Sequence, residues 1–115
     1  MLTITDHAVG DVTILKLRGR LVVEDPETPL GELVDRLLGD HHVKLVFDLR
    51  DVTYIDSAGL GLLVSKYVSV RHRGGDLRLV HLTARSHHLF GITKLASIFA
   101  TFDSETDAVR SFETP

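Results

Sequence analysis

The chain has 115 residues, of which 43% are hydrophobic and 25% charged; its formal net charge is -3, and it contains no cysteine. These values fit one folded domain over residues 1–115 with a core of its own, and they exclude disorder, a disulfide scaffold, a thiolate metal site and a cysteine nucleophile. The acidic balance supplies no cationic excess to neutralise phosphates, so nucleic acid is not an expected partner.

The opening stretch MLTITDHAVG has no basic region leading into an apolar run. No apolar run elsewhere is long enough to span a bilayer, so the expectation is a cytoplasmic protein without membrane insertion. Residues 2–4, the turn residues Gly10-Asp11 and the β-branched run Val12–Leu17 (VTILKL) predict an antiparallel hairpin. The loop EDPETP ends in Thr28-Pro29, a capping hydroxyl followed by a proline suited to the first helical position. Leu30, Leu33, Val34, Leu37 and Leu38 then repeat at helical spacing up to Gly39, predicting a helix over 29–38. Val43–Leu49 (VKLVFDL) is almost continuously apolar, as a central strand covered on both faces would be; Val52–Ile55 either extends it or forms a connector. A second helix over 57–72 follows from Leu60, Leu63, Val64, Tyr67 and Val68, with Gly74-Gly75 as its stop. Leu77–Leu82 (LRLVHL) reads as a strand, and Thr83 as the cap of a third helix over 84–95 that turns Leu89, Phe90 and Leu95 inward. Ile98–Phe102 reads as a last short strand. Ser104 and Asp107 form a capping box ahead of a helix that buries Ala108, Val109 and Phe112. This alternation predicts an α/β domain: a mixed, mostly parallel sheet of about five strands, an antiparallel edge from the hairpin, and about four helices.

The chemistry concentrates in residues 54–63, YIDSAGLGLL. Gly59 and Gly61 begin like a dinucleotide fingerprint, but Val64 stands where the third glycine belongs, and no phosphate-binding GxxxxGK[ST] occurs. No cofactor is expected. The seven histidines include the adjacent pairs His41-His42 and His87-His88, whose side chains diverge, and none is spaced as HxxxH or HExxH, so no metal is assigned. As a nucleophile Ser57 would need a base and an oxyanion hole, and the elbow pattern GxSxG fails at Ile55, so no catalytic residue is assigned and the protein is not read as an enzyme. As a helix cap Ser57 would contribute about 1 kcal/mol, a task Asp56 could perform equally. Two capping residues, two glycines and Leu60 exceed what capping needs. A serine at the carboxyl end of a strand lies where α/β sheets keep their sites, and a phosphate there would add roughly -1.5 to -2 charges. Asp56, Ser57, Gly59 and Leu60 are therefore an expected contact patch.

The segments GDVTILKLRGRL, VFDLRDVTYIDSAGLGLL, RHRGGDLRLVHL and FDSETDAV together resemble the STAS domain family of bacterial anti-sigma factor antagonists. IDSAGLG is the most specific of them, and the resemblance covers nearly the whole chain. It implies helices packed mainly on one face of the sheet. It implies phosphorylation of Ser57 by an anti-sigma factor that is itself a serine kinase, release of the sigma factor by the unphosphorylated protein, and resetting by a phosphatase. Ala58, where many members carry a second serine, joins the expected partner-binding residues. Val22 replaces an aspartate common in the family, in a loop that borders the switch serine there; the resemblance therefore implies that Glu24 and Asp25, close enough to substitute, stand on the rim of the patch. A second reading is a STAS scaffold that is never phosphorylated, working in a stress-signalling or lipid-transport assembly; an acceptor serine at position 57 favours the switch.

Overall fold

In the computed structural model the described residues are 2–22, 29–84, 88 and 97–113. Strands β1 (Leu2–Val9) and β2 (Val12–Leu21) precede α1 (Pro29–Gly39); β3 (Lys44–Ile55), α2 (Ser57–His72) and β4 (Asp76–Val80) follow; β5 (Ala100–Phe102) and α3 (Glu105–Ser111) close the chain. The sheet runs β1-β2-β3-β4-β5, with β1 antiparallel to β2 and the other neighbours parallel. The hairpin forms as expected, its turn made by Gly10 at φ 63°.

Strands β2, β3 and β4 lie side by side in chain order because α1 and α2 are short helical returns between them. The helices bury their apolar stripes where the sheet is apolar on both sides. On one face Leu15, Leu17, Leu45, Phe47, Leu49, Leu77 and Leu79 meet Leu30, Val34 and Leu38 of α1 and Leu60, Leu63 and Val70 of α2. On the other, Val12, Ile14, Val46 and Val80 meet Ala108, Val109 and Phe112 in and just after α3. Two of the three described helices thus share a face and the third covers the reverse.

One boundary that the sequence left open is decided, and several others differ from the sequence reading. β3 continues through Ile55 because β2 keeps pairing with it, from Thr13↔Leu45 to Leu21↔Ile55. Two register shifts interrupt that pairing, and Gly19, beside the second, takes φ 110°, a value open to glycine and strained for other residues. β4 stops at Val80 rather than Leu82, since His81 turns to φ 60° and leaves the ladder. The last strand begins at Ala100, not Ile98. Helix α1 includes Gly39, and the chain reverses at His41 with φ 65°. In α2 the inward positions are Leu60, Leu63, Tyr67 and Val70, while Val68 is 56% exposed. The expected third helix over 84–95, with Leu89, Phe90 and Leu95, lies almost wholly outside the described residues, as does the Thr28 cap.

Candidate functional site

β3 delivers the chain to the start of α2. Asp56, in extended conformation, is the N-cap: its Oδ1 accepts the Gly59 N–H at 2.7 Å, and its carbonyl accepts the Leu60 N–H at 2.9 Å. Because the cap falls on Asp56, Ser57 becomes the first helical residue, and its exposed hydroxyl is not spent on capping. The N–H groups of Ser57 and Ala58 have no carbonyl one turn back to bond, so they point out of the helix start as donors carrying the positive end of the dipole. An exposed acceptor hydroxyl, free donors and a carboxylate cap thus sit together.

Gly59 is buried, and a Cβ there would collide with the Leu21 carbonyl oxygen. Its lack of a side chain lets the first turn of α2 lie against the end of β2. Gly61, by contrast, is exposed, with nothing within 4 Å of a Cβ built on it. Leu60, expected in an exposed patch, is only 3% exposed and belongs to the core between α2 and the sheet. The helical repeat that carries Leu63 inward carries Leu60 with it. The expected contact residues therefore divide. Ser57 and Ala58 are exposed and Asp56 half-buried, whereas Gly59 and Leu60 face the protein's own interior. Glu24 and Asp25 lie outside the described residues.

A second polar cluster occupies the reverse face, and residues far apart in sequence build it. Asp48, 7% exposed, has Oδ1 3.0 Å from His81 Nδ1 and accepts the Arg50 N–H at 3.0 Å. His81 Nε2 lies 3.1 Å from Arg50 Nη2. A guanidinium only donates, so Nε2 accepts and the ring proton on Nδ1 goes to Asp48. Burial pushes the Asp48 carboxyl up, but the Arg50 N–H, the His81 ring and the Glu105 carboxyl outweigh it and hold Asp48 below the ordinary carboxylate range. Glu105 in turn pairs with Lys16 at 3.7 Å and lies 4.0 Å from His7. No local spacing in the sequence announces this cluster; a shared strand end brings its members together. Among the described residues no group of three or more His, Asp or Glu side chains is placed to hold a metal ion, and no helix is long and apolar enough to cross a membrane.

Residues 3–108 match the family model of the STAS domain. The chain is 25% identical over 111 residues to an anti-sigma F factor antagonist of Paenibacillus polymyxa, covering 94% of this chain and 92% of that one. It is 41% identical over 61 residues to an anti-sigma-B factor antagonist of Bacillus subtilis, covering 53% and 56% of the two chains. A Thermotoga maritima crystal structure superposes with a TM-score of 0.83 at 26% identity, covering 96% of this chain and 95% of the other. With a family model spanning nearly its whole length and a five-stranded mixed sheet that superposes closely on a solved relative, this chain belongs to the STAS domain family.

Proposed function

We propose that the protein is an anti-sigma factor antagonist, a binding module switched by phosphorylation of Ser57, acting in the cytoplasm on an anti-sigma factor that is also a serine kinase. The carrying observation is that Asp56 takes over the capping of α2 and leaves an exposed Ser57 hydroxyl at the first helical position. The relatives from Paenibacillus polymyxa and Bacillus subtilis are named antagonists of the anti-sigma F and anti-sigma-B factors, which supports the same class of partner. Ser57 and Ala58, beside Asp56, form the centre of the proposed contact surface, to whose rim the family resemblance assigns Glu24 and Asp25. Leu60 and Gly59 support it from beneath.

The switch works through charge. The helix start accommodates a phosphate on Ser57, because the dipole and the free N–H groups of the first turn favour an anion. The fold therefore survives modification. A docked partner would have to strip water from that phosphate beside the Asp56 carboxylate. An uncompensated buried charge costs several kilocalories per mole, roughly a thousandfold or more in affinity. A phosphatase removes the group and restores binding.

The test is incubation with ATP, magnesium and a candidate anti-sigma factor kinase, the phosphate located by mass spectrometry, followed by titration of that kinase with Ser57→Ala and Ser57→Asp variants. The expected result is one phosphate, on Ser57, with Ser57→Ala binding like the unmodified protein and Ser57→Asp binding far more weakly. Phosphate on another residue, or equal binding by the two variants, overturns the switch and favours an unphosphorylated scaffold.

A further inference from the structure

Strands β2 and β3 outrun the helix that covers their reverse face. Helix α3 lies over Val12, Ile14 and Val46, toward the starts of β2 and β3, and over Val80 at the end of β4. Pairing of β3 with β4 ends at Asp48↔Val80, while β2 and β3 remain paired to Leu21↔Ile55. One side of this extension, which β1 flanks as far as Leu2↔Gly19, is buried through Leu17, Leu21, Leu49, Val52 and Ile55. The side chains that alternate with them, Arg18, Arg20, Arg50 and Tyr54, are exposed, Tyr54 at 38%. The Arg20 guanidinium carbon stands 5.2 Å from the centre of the Tyr54 ring.

The charges on this strip are unbalanced. Lys16, just before it, is neutralised by Glu105 at 3.7 Å. Arg50 meets a ring nitrogen of His81, Arg20 meets a ring, and among the described residues none of Arg18, Arg20 and Arg50 forms an ion pair with a carboxylate. Among the described residues the acidic neighbours of the strip are Asp51, opposite Arg18, and Asp48, which accepts the Arg50 N–H, so three arginines face two carboxylates. The whole chain carries -3, so this cationic strip runs against the charge of the molecule that bears it.

We propose that the Arg18–Arg20–Arg50–Tyr54 strip is a docking surface for an acidic segment of a protein partner. Guanidinium forks match carboxylates in geometry as well as charge, and arginine and tyrosine are the side chains that most often dominate interface energies. Tyr54 adds a rigid apolar platform whose edge can be covered at little entropic cost. Several neighbouring cations repel one another in the free protein, and a carboxylate-bearing segment relieves that repulsion on binding. A nucleic acid is the poorer fit, because proteins that hold it commonly make about 6–10 phosphate contacts, more than this strip provides, on a chain that repels polyanions overall. The strip lies on the opposite face of the sheet from α2, so the proposal goes beyond the Ser57 reading and stands or falls separately from it.

Fluorescence anisotropy on the full chain at low salt tests this, using a labelled peptide of alternating Glu and Gly, a matched Gln and Gly peptide, and a single-stranded oligothymidine as competitor. The wild type should bind the Glu peptide and not the Gln peptide. The double variant Arg18→Gln, Arg20→Gln should bind the Glu peptide at least about tenfold more weakly, the loss expected for removing charge-assisted hydrogen bonds. Tyr54→Ala should also weaken binding although it leaves every charge in place, and Lys16→Gln should not. Circular dichroism melts show which variants are folded, and Arg50→Gln supplies an independent substitution if the double variant is not. Absence of binding by the Glu peptide, equal affinity of wild type and double variant, or displacement of the peptide by oligothymidine overturns the proposal.

Discussion

Gly59 and Gly61 stand two positions apart in α2 and answer to different physics. A Cβ on Gly59 would strike the Leu21 carbonyl oxygen, part of the backbone of β2, which cannot rotate away. Gly59→Ala should destabilise the protein by about 1–3 kcal/mol, as overpacking does, visible as a lowered midpoint in a urea titration. Gly61→Ala meets open space inside a helix, and should raise the same midpoint by a stabilisation of roughly 0.5–1 kcal/mol. The sequence shows both glycines at once but not which backbone lies opposite each. Asp56→Ala removes the cap and should cost about 1 kcal/mol in the same titration. The neighbouring Ser57→Ala should cost much less, since Asp56 rather than Ser57 holds the helix start. A charged substitution at Leu60 would place the charge in the core and should unfold the protein, so exposed Ala58 is the position at which to perturb partner contact without loss of structure.

At the scale of the element, α2 shows what periodicity can and cannot establish. Its limits, 57–72, agree with the sequence reading, because a cap, a repeating apolar stripe and a glycine stop are all local. Which side of the stripe faces inward is decided by packing. Leu63 is fully buried, and Leu63→Ala should cost about 2–5 kcal/mol in chemical denaturation. Val68, read as part of the same stripe, faces solvent beside Asp35 and His72, and Val68→Ala should change stability by less than about 0.5 kcal/mol. Strand β3 makes the same point. Its apolar run was legible from Val43 to Leu49, yet its continuation through the polar residues Arg50, Asp51 and Thr53 depends on β2 lying beside it as a hydrogen-bonding partner.

Across the whole molecule, two apolar layers share one sheet, and β3 supplies Phe47 to one and Val46 to the other. Neither layer can open without disturbing that strand, so thermal unfolding followed by circular dichroism and by tyrosine fluorescence should give coincident transitions. The Asp48 cluster ties β3 to the end of β4 and to α3 and adds a pH dependence. The folded Asp48 carboxyl is held below its unfolded value of about 3.9. Its contribution to stability is therefore complete above that value and is lost as pH falls through the lower folded pKa. Asp48→Asn should flatten the acid limb of a stability-against-pH curve below about pH 4. The sequence by itself determined the α/β alternation, the opening hairpin, the span of α2 and the serine at its start, because strand runs, caps and helical repeats are written in neighbouring residues. The tertiary structure alone decided that Leu60 is core, that Asp48, His81 and Arg50 meet, and that Arg18, Arg20 and Arg50 line one strip of sheet. Each of these depends on which backbone or side chain packs opposite, and residues more than thirty positions apart set that through sheet register.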